Sequence, residues 1–369
     1  MTTPETTATA VDAEAYEIPT DRPEGDGTLA WDSTVMVVAK VRGGGREGIG
    51  WTYAGRAAKK VIEEKLAPVV IGGDVLSVPA QHEAMVRTCR NLGRPGLAAC
   101  AISAVDVALW DLKARHLEVS LSDLFGHARS DVPIYGSGGF TTYDDPTTAA
   151  QLEGWITAGI PRVKIKIGED WGGNTDRDLA RVALARRVVG DPVDLYVDAN
   201  GGYTRKQAIR LGRHLTEDYR VSWFEEPVSS DDLDGLREVR DHCDADVAAG
   251  EYGYTAEYFA PMIAAGAVDC LQADVTRCGG YTAWTAVAHL AAANGIQISG
   301  HCAPNLHAHV GVSVTNLRHL EYFHDHTRIE DMLFDGTLSP TGGALIPVQD
   351  RPGHGMALRS NAADCYRVA

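Results

Sequence analysis

The sequence has no C-x-x-C pair, no excess of basic residues and no basic leader ahead of an apolar run. Each absence excludes a class. The seven cysteines, at 89, 100, 243, 270, 278, 302 and 365, form an odd set, and several sit in apolar runs where cysteine acts as a small hydrophobe. A disulfide scaffold is thereby set aside, and a reducing, cytoplasmic compartment is the expectation. With 34 basic against 50 acidic residues the net charge is −16. Too few Lys and Arg are available to displace phosphate counterions, so neither a nucleic-acid partner nor an anionic membrane surface is expected. An acidic substrate stays open, because a local lysine cluster or a bound cation reverses the field in one cleft. The N-terminus MTTPETTATAVDAEAYEIP is acidic and rich in Thr and Ala, unlike a secretory signal. No uninterrupted apolar run is long enough to span a bilayer.

What is present is ordinary for a globular chain of 369 residues: 44% hydrophobic and 23% charged, with 39 glycines. Residues 1 to about 15 read as frayed. VMVVAKV (35–41), then GGGREG and IGWTYA, reads as a hairpin. The G-x-G-x-x-G spacing at Gly43–Gly48 has no helix after it, so a turn is favoured over a dinucleotide site. Helical patterns follow at Gly55–Lys65, Pro79–Leu92 and 96–117. The first 125 residues therefore read as an α+β arrangement.

Beyond residue 130, short apolar segments alternate with amphipathic helices. The strand candidates are VPIYGS (132–137), VKIKI (163–167), DLYVDA (194–199), VSWFE (221–225), DVAAG (246–250), CLQAD (270–274), QISGH (297–301) and HLEYF (319–323). Eight strand–helix units predict a (β/α)8 barrel, whose chemistry lies at the C-terminal ends of its strands. The polar residues there are Lys164 and Lys166, Asp198 with Asn200, Glu225, Glu251, Asp274, His301 and Glu321. Successive members from Lys166 onward are 20 to 32 residues apart, the size of one unit, so they should converge on one mouth.

Three acids from adjacent strands, Asp198, Glu225 and Glu251, make an all-oxygen site suited to Mg²⁺. Any one of them alone would more often be a solvated residue or a helix cap. Glu226 points away from Glu225 and reads as a helix-start residue or a partner behind the ligands. Lys164 and Lys166 share a strand face, and Val163, Ile165 and Ile167 take the other. Inward lysines are either ion-paired with the barrel acids or functional. In the functional reading Lys166 is a base with a pKa lowered by its neighbour and a metal, and Lys164 holds a substrate carboxylate. Asp274 beside His301 suits a general acid/base histidine with a fixed tautomer. Glu321 is either a neutral acid donating to a developing enolate or a partner for a basic group. His307 and His309 form an H-x-H after the seventh barrel strand and read as structural.

The combination K-x-K at Lys164/Lys166, D-x-N at Asp198/Asn200, E-E-P from Glu225, G-E at Glu251 and the Asp274–His301 dyad resembles the enolase superfamily, and within it the mandelate racemase subgroup. The resemblance covers nearly the whole chain. It implies an α/β fold: a modified (β/α)8 TIM-type barrel at 128–344, with an α+β capping domain at 1–127 and a C-terminal return at 345–369. It implies Mg²⁺ on Asp198, Glu225 and Glu251, Lys166 and His301 as acid/base groups on opposite substrate faces, Glu321 as an electrophilic donor, and a homo-oligomer. The expected reaction is removal of the proton next to a carboxylate, followed by dehydration of a sugar acid. Racemisation or epimerisation of a 2-hydroxy acid is the alternative. A sugar acid is favoured because Arg22, Glu24, Asp26 and Asp32 lie in the capping stretch 20–32 and suit a polyhydroxylated ligand; Trp31 in the same stretch and Asn200 are further candidate substrate contacts. A metal hydrolase would need histidines near the first barrel strand, which VPIYGS lacks. A non-catalytic barrel would have lost a ligand or base, and none is missing.

Overall fold

The computed structural model describes residues 6–369. The chain opens with three antiparallel strands, β1 (Ala8–Gly25), β2 (Ala30–Gly43) and β3 (Arg46–Tyr53). The segment 8–15 is therefore not frayed; its first residues, 1–5, lie outside the described part. Val11, Ala13 and Ala15 are buried while Asp12 is exposed and Glu14 half-buried, a period-2 face built from small side chains. The GGGREG run is the β2–β3 turn, with Gly44 and Gly45 at φ 55° and 74°. On the outer side of β1 lies a short strand from the far end of the chain, Arg367–Val368.

The helix Ala99–Leu117 packs across this sheet. It belongs to the stretch Arg94–Leu117, a helix long and apolar enough to cross a membrane although charged residues interrupt it; most of it is buried as core between the sheet and the barrel. The approach is close because β3 offers no side chain there. A Cβ on Gly48 would stand 2.1 Å from the Ala108 carbonyl oxygen, and one on Gly50 2.3 Å from that of Ala104.

Eight parallel strands then form the barrel: β4 (Val132–Gly138), β5 (Arg162–Lys166), β6 (Asp194–Asp198), β7 (Val221–Glu225), β8 (Asp246–Ala249), β9 (Cys270–Ala273), β10 (Gln297–Gly300) and β11 (Leu317–Phe323). They pair in chain order, and β11 closes on β4 through Leu320–Phe323 against Ile134–Ser137. Alternate residues point inward and build layers. The lower layer holds Tyr135, Tyr196, Trp223 and His319, with Tyr196 and Trp223 stacked at 5.6 Å and Tyr135 edge-on to His319 at 4.7 Å. Two residues further along the same strands come Ser137, Asp198, Glu225 and Glu321, all fully buried. The aromatic layer is thus the floor on which the charged layer rests.

The capping sheet is fastened to the barrel through β3. Trp51 Nε1 and Tyr53 Oη donate to Glu330 Oε1 at 3.2 and 3.0 Å, while Asn305 Nδ2 donates to Glu330 Oε2 at 2.6 Å. Between those two residues, Thr52 Oγ1 donates to the Thr276 carbonyl at 2.6 Å.

The close approach at β3 has a measurable consequence. Gly50→Ala should force the helix Ala99–Leu117 off the sheet and cost about 3 kcal/mol. Urea unfolding reads this as a lowered midpoint, and an unchanged midpoint would contradict the packing described.

Candidate active site

The two lysines of β5 sit at different depths. Lys164 is fully buried, and its ammonium meets Glu225 Oε1 at 2.7 Å, Glu321 Oε1 at 2.8 Å and Asp198 Oδ2 at 3.2 Å, above the Tyr135 ring at 5.3 Å. Burial opposes its charge, but Glu225 and Glu321 outweigh it and hold the lysine protonated. All three ammonium protons have carboxylate partners. Lys164 thus takes the ion-paired arrangement with the barrel acids, as their anchor. Lys166, one layer higher, reaches the cavity and donates to Asp198 Oδ2 at 2.5 Å. Burial again works against the ammonium, and Asp198 overrides it and raises the pKa. The lowered pKa expected from the sequence counted repulsion by Lys164 and a cation; the carboxylates act in the opposite sense and dominate here.

Asp198, Glu225 and Glu251 each offer one carboxylate oxygen, all within 4.8 Å of one another, and all three residues are buried. Burial and the Asp198 charge push Glu225 up to about 8, while Lys166 and Lys164 bring Asp198 down to about 2 against its own burial. Glu251 Oε2 accepts no hydrogen bond. Three buried acids this close repel one another, and a hard divalent cation is the partner that their oxygens fit. Glu226 is not a helix start, since the next helix begins at Leu233. It lies buried behind the cluster, with its pKa raised by burial and by Glu251.

The acids are aimed by the backbone. Straight after the strand ends, Asn200, Glu226, Cys302 and Ala303 take φ values of 45°, 38°, 51° and 38°. Non-glycine residues avoid this region, and its cost is tolerated where a site demands the geometry. Asn200 lines the cavity, and its backbone N–H holds Asp198 Oδ1 at 3.0 Å.

On the far side, His301 Nδ1 bonds Asp274 Oδ2 at 2.8 Å, and its Nε2 lies 3.5 Å from Glu251 Oε2 and 3.6 Å from Glu321 Oε2. Burial lowers the His301 pKa, but Glu251, Glu321 and Asp274 together raise it above the ordinary value. Glu321 is ionised: against burial, Lys164 and His301 pull it well below the usual carboxylate range. It accepts from Ser137 Oγ at 2.6 Å and from the Cys302 N–H at 3.0 Å. Of its two readings, its contacts with Lys164 and His301 are those of a partner for basic groups. Arg277, which the sequence reading missed, bridges Glu251 and Asp274 at 3.4 and 3.6 Å. Its place three residues past the β9 acid, in the next turn, was the available signal.

Above these groups lies a cavity of about 680 Å³ between barrel mouth and cap. The capping residues meet it unevenly. Arg22 and Asp32 are exposed and do not line it. Glu24 is fully buried, accepts from Trp31 Nε1 at 3.0 Å, and is pushed up to about 9 by burial and by Asp325. It is a neutral structural acid, not a contact for hydroxyls. Trp31 lines the cavity with its ring edge-on to Phe140 at 5.8 Å. Asp26 also lines it, but Oδ1 closes its own turn by accepting from Thr28 N and Leu29 N at 2.6 and 2.8 Å. Gly27 is pressed onto the barrel: a Cβ there would meet the Ile167 and Ala199 carbonyls at 2.7 and 2.8 Å. Further lining residues that the sequence did not reveal include Leu29, Tyr53, Leu97, Tyr252, Cys302 and His326.

Two family models match the chain: Enolase C-terminal domain-like over residues 147–362, and the mandelate racemase / muconate lactonizing enzyme N-terminal domain over residues 20–126. An L-talarate/galactarate dehydratase from Salmonella typhimurium is 30% identical, over 89% of this chain and 81% of its own. A mandelate racemase/muconate lactonizing enzyme-like protein from Rubrobacter xylanophilus superposes with TM-score 0.95 at 48% identity, covering 98% of this chain and 100% of its own. A racemase from Streptomyces coelicolor, crystallised with bound magnesium, gives TM-score 0.92 at 29% identity, with 98% and 100% covered.

Two measurements follow from the geometry. Mg²⁺ at about 100 times its dissociation constant should stabilise the fold by about 2.7 kcal/mol, seen as a higher Tm, and Glu251→Gln should remove most of that shift. Glu24, with a folded pKa near 9 against an ordinary value of 4.5, takes up a proton on folding between those values. Its contribution to stability is full below pH 4.5 and is lost as the pH rises through 9. Glu24→Gln should therefore flatten the fall in unfolding free energy between pH 6 and 9; parallel curves for the two proteins would refute a protonated Glu24.

Proposed function

Because the chain belongs to the enolase superfamily, in its mandelate racemase subgroup, we propose that it removes the proton next to the carboxylate of a sugar acid and expels the β-hydroxyl, giving a 2-keto-3-deoxy acid. One observation carries this reading. Lys166 on β5 and the Asp274–His301 dyad at β9–β10 stand on facing sides of the ring, with the three-acid cluster between them. The Salmonella relative, named for dehydration of two aldaric acids, supports the reaction class.

A proton next to a carboxylate is very weakly acidic, so the charge that develops must be met as it forms. A divalent cation held by Asp198, Glu225 and Glu251 supplies that charge when bound, and Mg²⁺ suits the all-oxygen set, as the handling of such ene-diolates in this superfamily requires. Lys166 Nζ takes the α-proton in its neutral form, which it reaches by releasing its ammonium proton to water in the cavity it lines, since in the resting site Asp198 keeps it charged. His301 Nε2 delivers a proton to the departing hydroxyl. Its raised pKa keeps the imidazolium populated near neutrality, and Asp274 on Nδ1 fixes the ring so that Nε2 faces the cavity. Lys164 and Glu321 keep the acids in register from below. Unpaired thiols at all seven cysteines support the cytoplasmic setting.

The facing Lys166 and His301 also favour a second reading, in which His301 returns the proton to the opposite face of the α-carbon and the product is an epimer. Incubation with aldonic and aldaric acids and Mg²⁺ decides between them: a keto product trapped by semicarbazide is expected, and inversion without a keto product would establish the second reading. Lys166→Ala should lower turnover about 10³-fold and abolish exchange of the α-proton with solvent deuterium, while His301→Asn should block elimination to a similar extent. Unchanged exchange in Lys166→Ala would remove that residue from the role.

A further inference from the structure

We infer that the substrate carries one carboxylate only and turns a sparsely hydroxylated or apolar tail towards the cap. This deepens the reading above and rests on it for the end of the substrate that reacts. The argument is an inventory of charge around the cavity. The cations that line it are Lys166, Arg277 and His301, and all three come from the barrel. Each is already engaged: Lys166 by Asp198, Arg277 by Glu251 and Asp274, and His301 by Asp274, Glu251 and Glu321. His326, nearer the cap, stacks on Tyr53 at 3.4 Å and is held neutral by burial, its pKa near 3.

Among the described residues, the cap wall offers no cation. Its apolar part is Leu29, Trp31, Val35 and Leu97, and its hydroxyls are Ser33, Thr34 and Tyr53. Its one charge is Asp26, a carboxylate. The basic residues near that wall are turned elsewhere: Arg22 is exposed and does not line the cavity, Arg56, next to the lining Gly55, pairs with Glu17, and Arg94 pairs with Glu257. A second carboxylate at the far end of a substrate would lose water against Leu29 and Trp31 and face Asp26 with like charge, with nothing to pair it. An apolar or deoxygenated tail instead covers Leu29 and Leu97, large side chains that are 66% and 39% exposed. The four charged residues that suggested a polyhydroxylated ligand are accounted for by exposure (Arg22, Asp32), by burial under Trp31 (Glu24) and by turn closure (Asp26).

The test compares a 6-deoxyaldonate, the parent aldonate and the matching aldarate, each with Mg²⁺, by calorimetric binding to the full-length protein and by α-proton exchange in deuterium oxide. The 6-deoxyaldonate should bind at least tenfold more tightly than the aldarate, with the aldonate between them. Leu29→Lys, a change at an exposed position that supplies the missing cation, should narrow that ratio at least fivefold. Equal or tighter binding of the aldarate, or a ratio that Leu29→Lys leaves unmoved, overturns the inference and leaves the proposed reaction standing. The expected binding order with no α-proton exchange in any acid upholds the charge preference and overturns the reaction. Absence of binding by all three acids overturns both.

Discussion

One buried ammonium makes the site possible. Three carboxylates at the top of a closed barrel would otherwise repel one another where little water is present to screen them. Lys164 contacts Asp198, Glu225 and Glu321 from beneath, at 2.7 to 3.2 Å, and so ties strands β6, β7 and β11 to β5. The layer below cannot give way, because Tyr135, Tyr196, Trp223 and His319 fill the barrel's cross-section. The groups that face the cavity, Lys166, Glu251 and His301, thereby stand above a packed aromatic base.

The cap is hydrogen-bonded to the barrel through one buried acid. Glu330 gathers Trp51 and Tyr53 from the sheet and Asn305 from the barrel on one carboxylate. Gly27, without a side chain, lets the cap loop rest directly on the carbonyls that end β5 and β6, and its own oxygen accepts from the Trp171 N–H at 3.0 Å. The cap wall of the cavity is consequently in register with the acids at the barrel mouth.

How much of this was legible depends on what a pattern can report. Period-2 alternation showed that Lys164 and Lys166 share a face, and strand spacing brought Asp198, Glu225, Glu251, Asp274, His301 and Glu321 to one end. Alternation does not report depth, so it could not show that Lys164 lies one layer below Lys166, and it left both an ion pair and a substrate contact open for Lys164. Strand β1 escaped because its buried face is mostly alanine between acids, which carries little hydrophobic signal. The charges at 20–32 were read as ligand contacts because residue type alone cannot show that Glu24 is spent on Trp31 or Asp26 on its own turn. Arg277 and the lining from Leu29 and Leu97 come from loops and helix starts, where position in the chain says little about position at the mouth.

The left-handed residues that follow Asp198, Glu225 and His301 have a consequence for how such a protein diverges. Each is a swivel of one or two residues, at Asn200–Gly201, Glu226 and Cys302–Ala303. Whatever is inserted or deleted downstream of a swivel changes the rim, and the acid or histidine upstream keeps its bearing. A lineage can therefore refit the rim for new ligands many times over while inheriting the same reactive core intact.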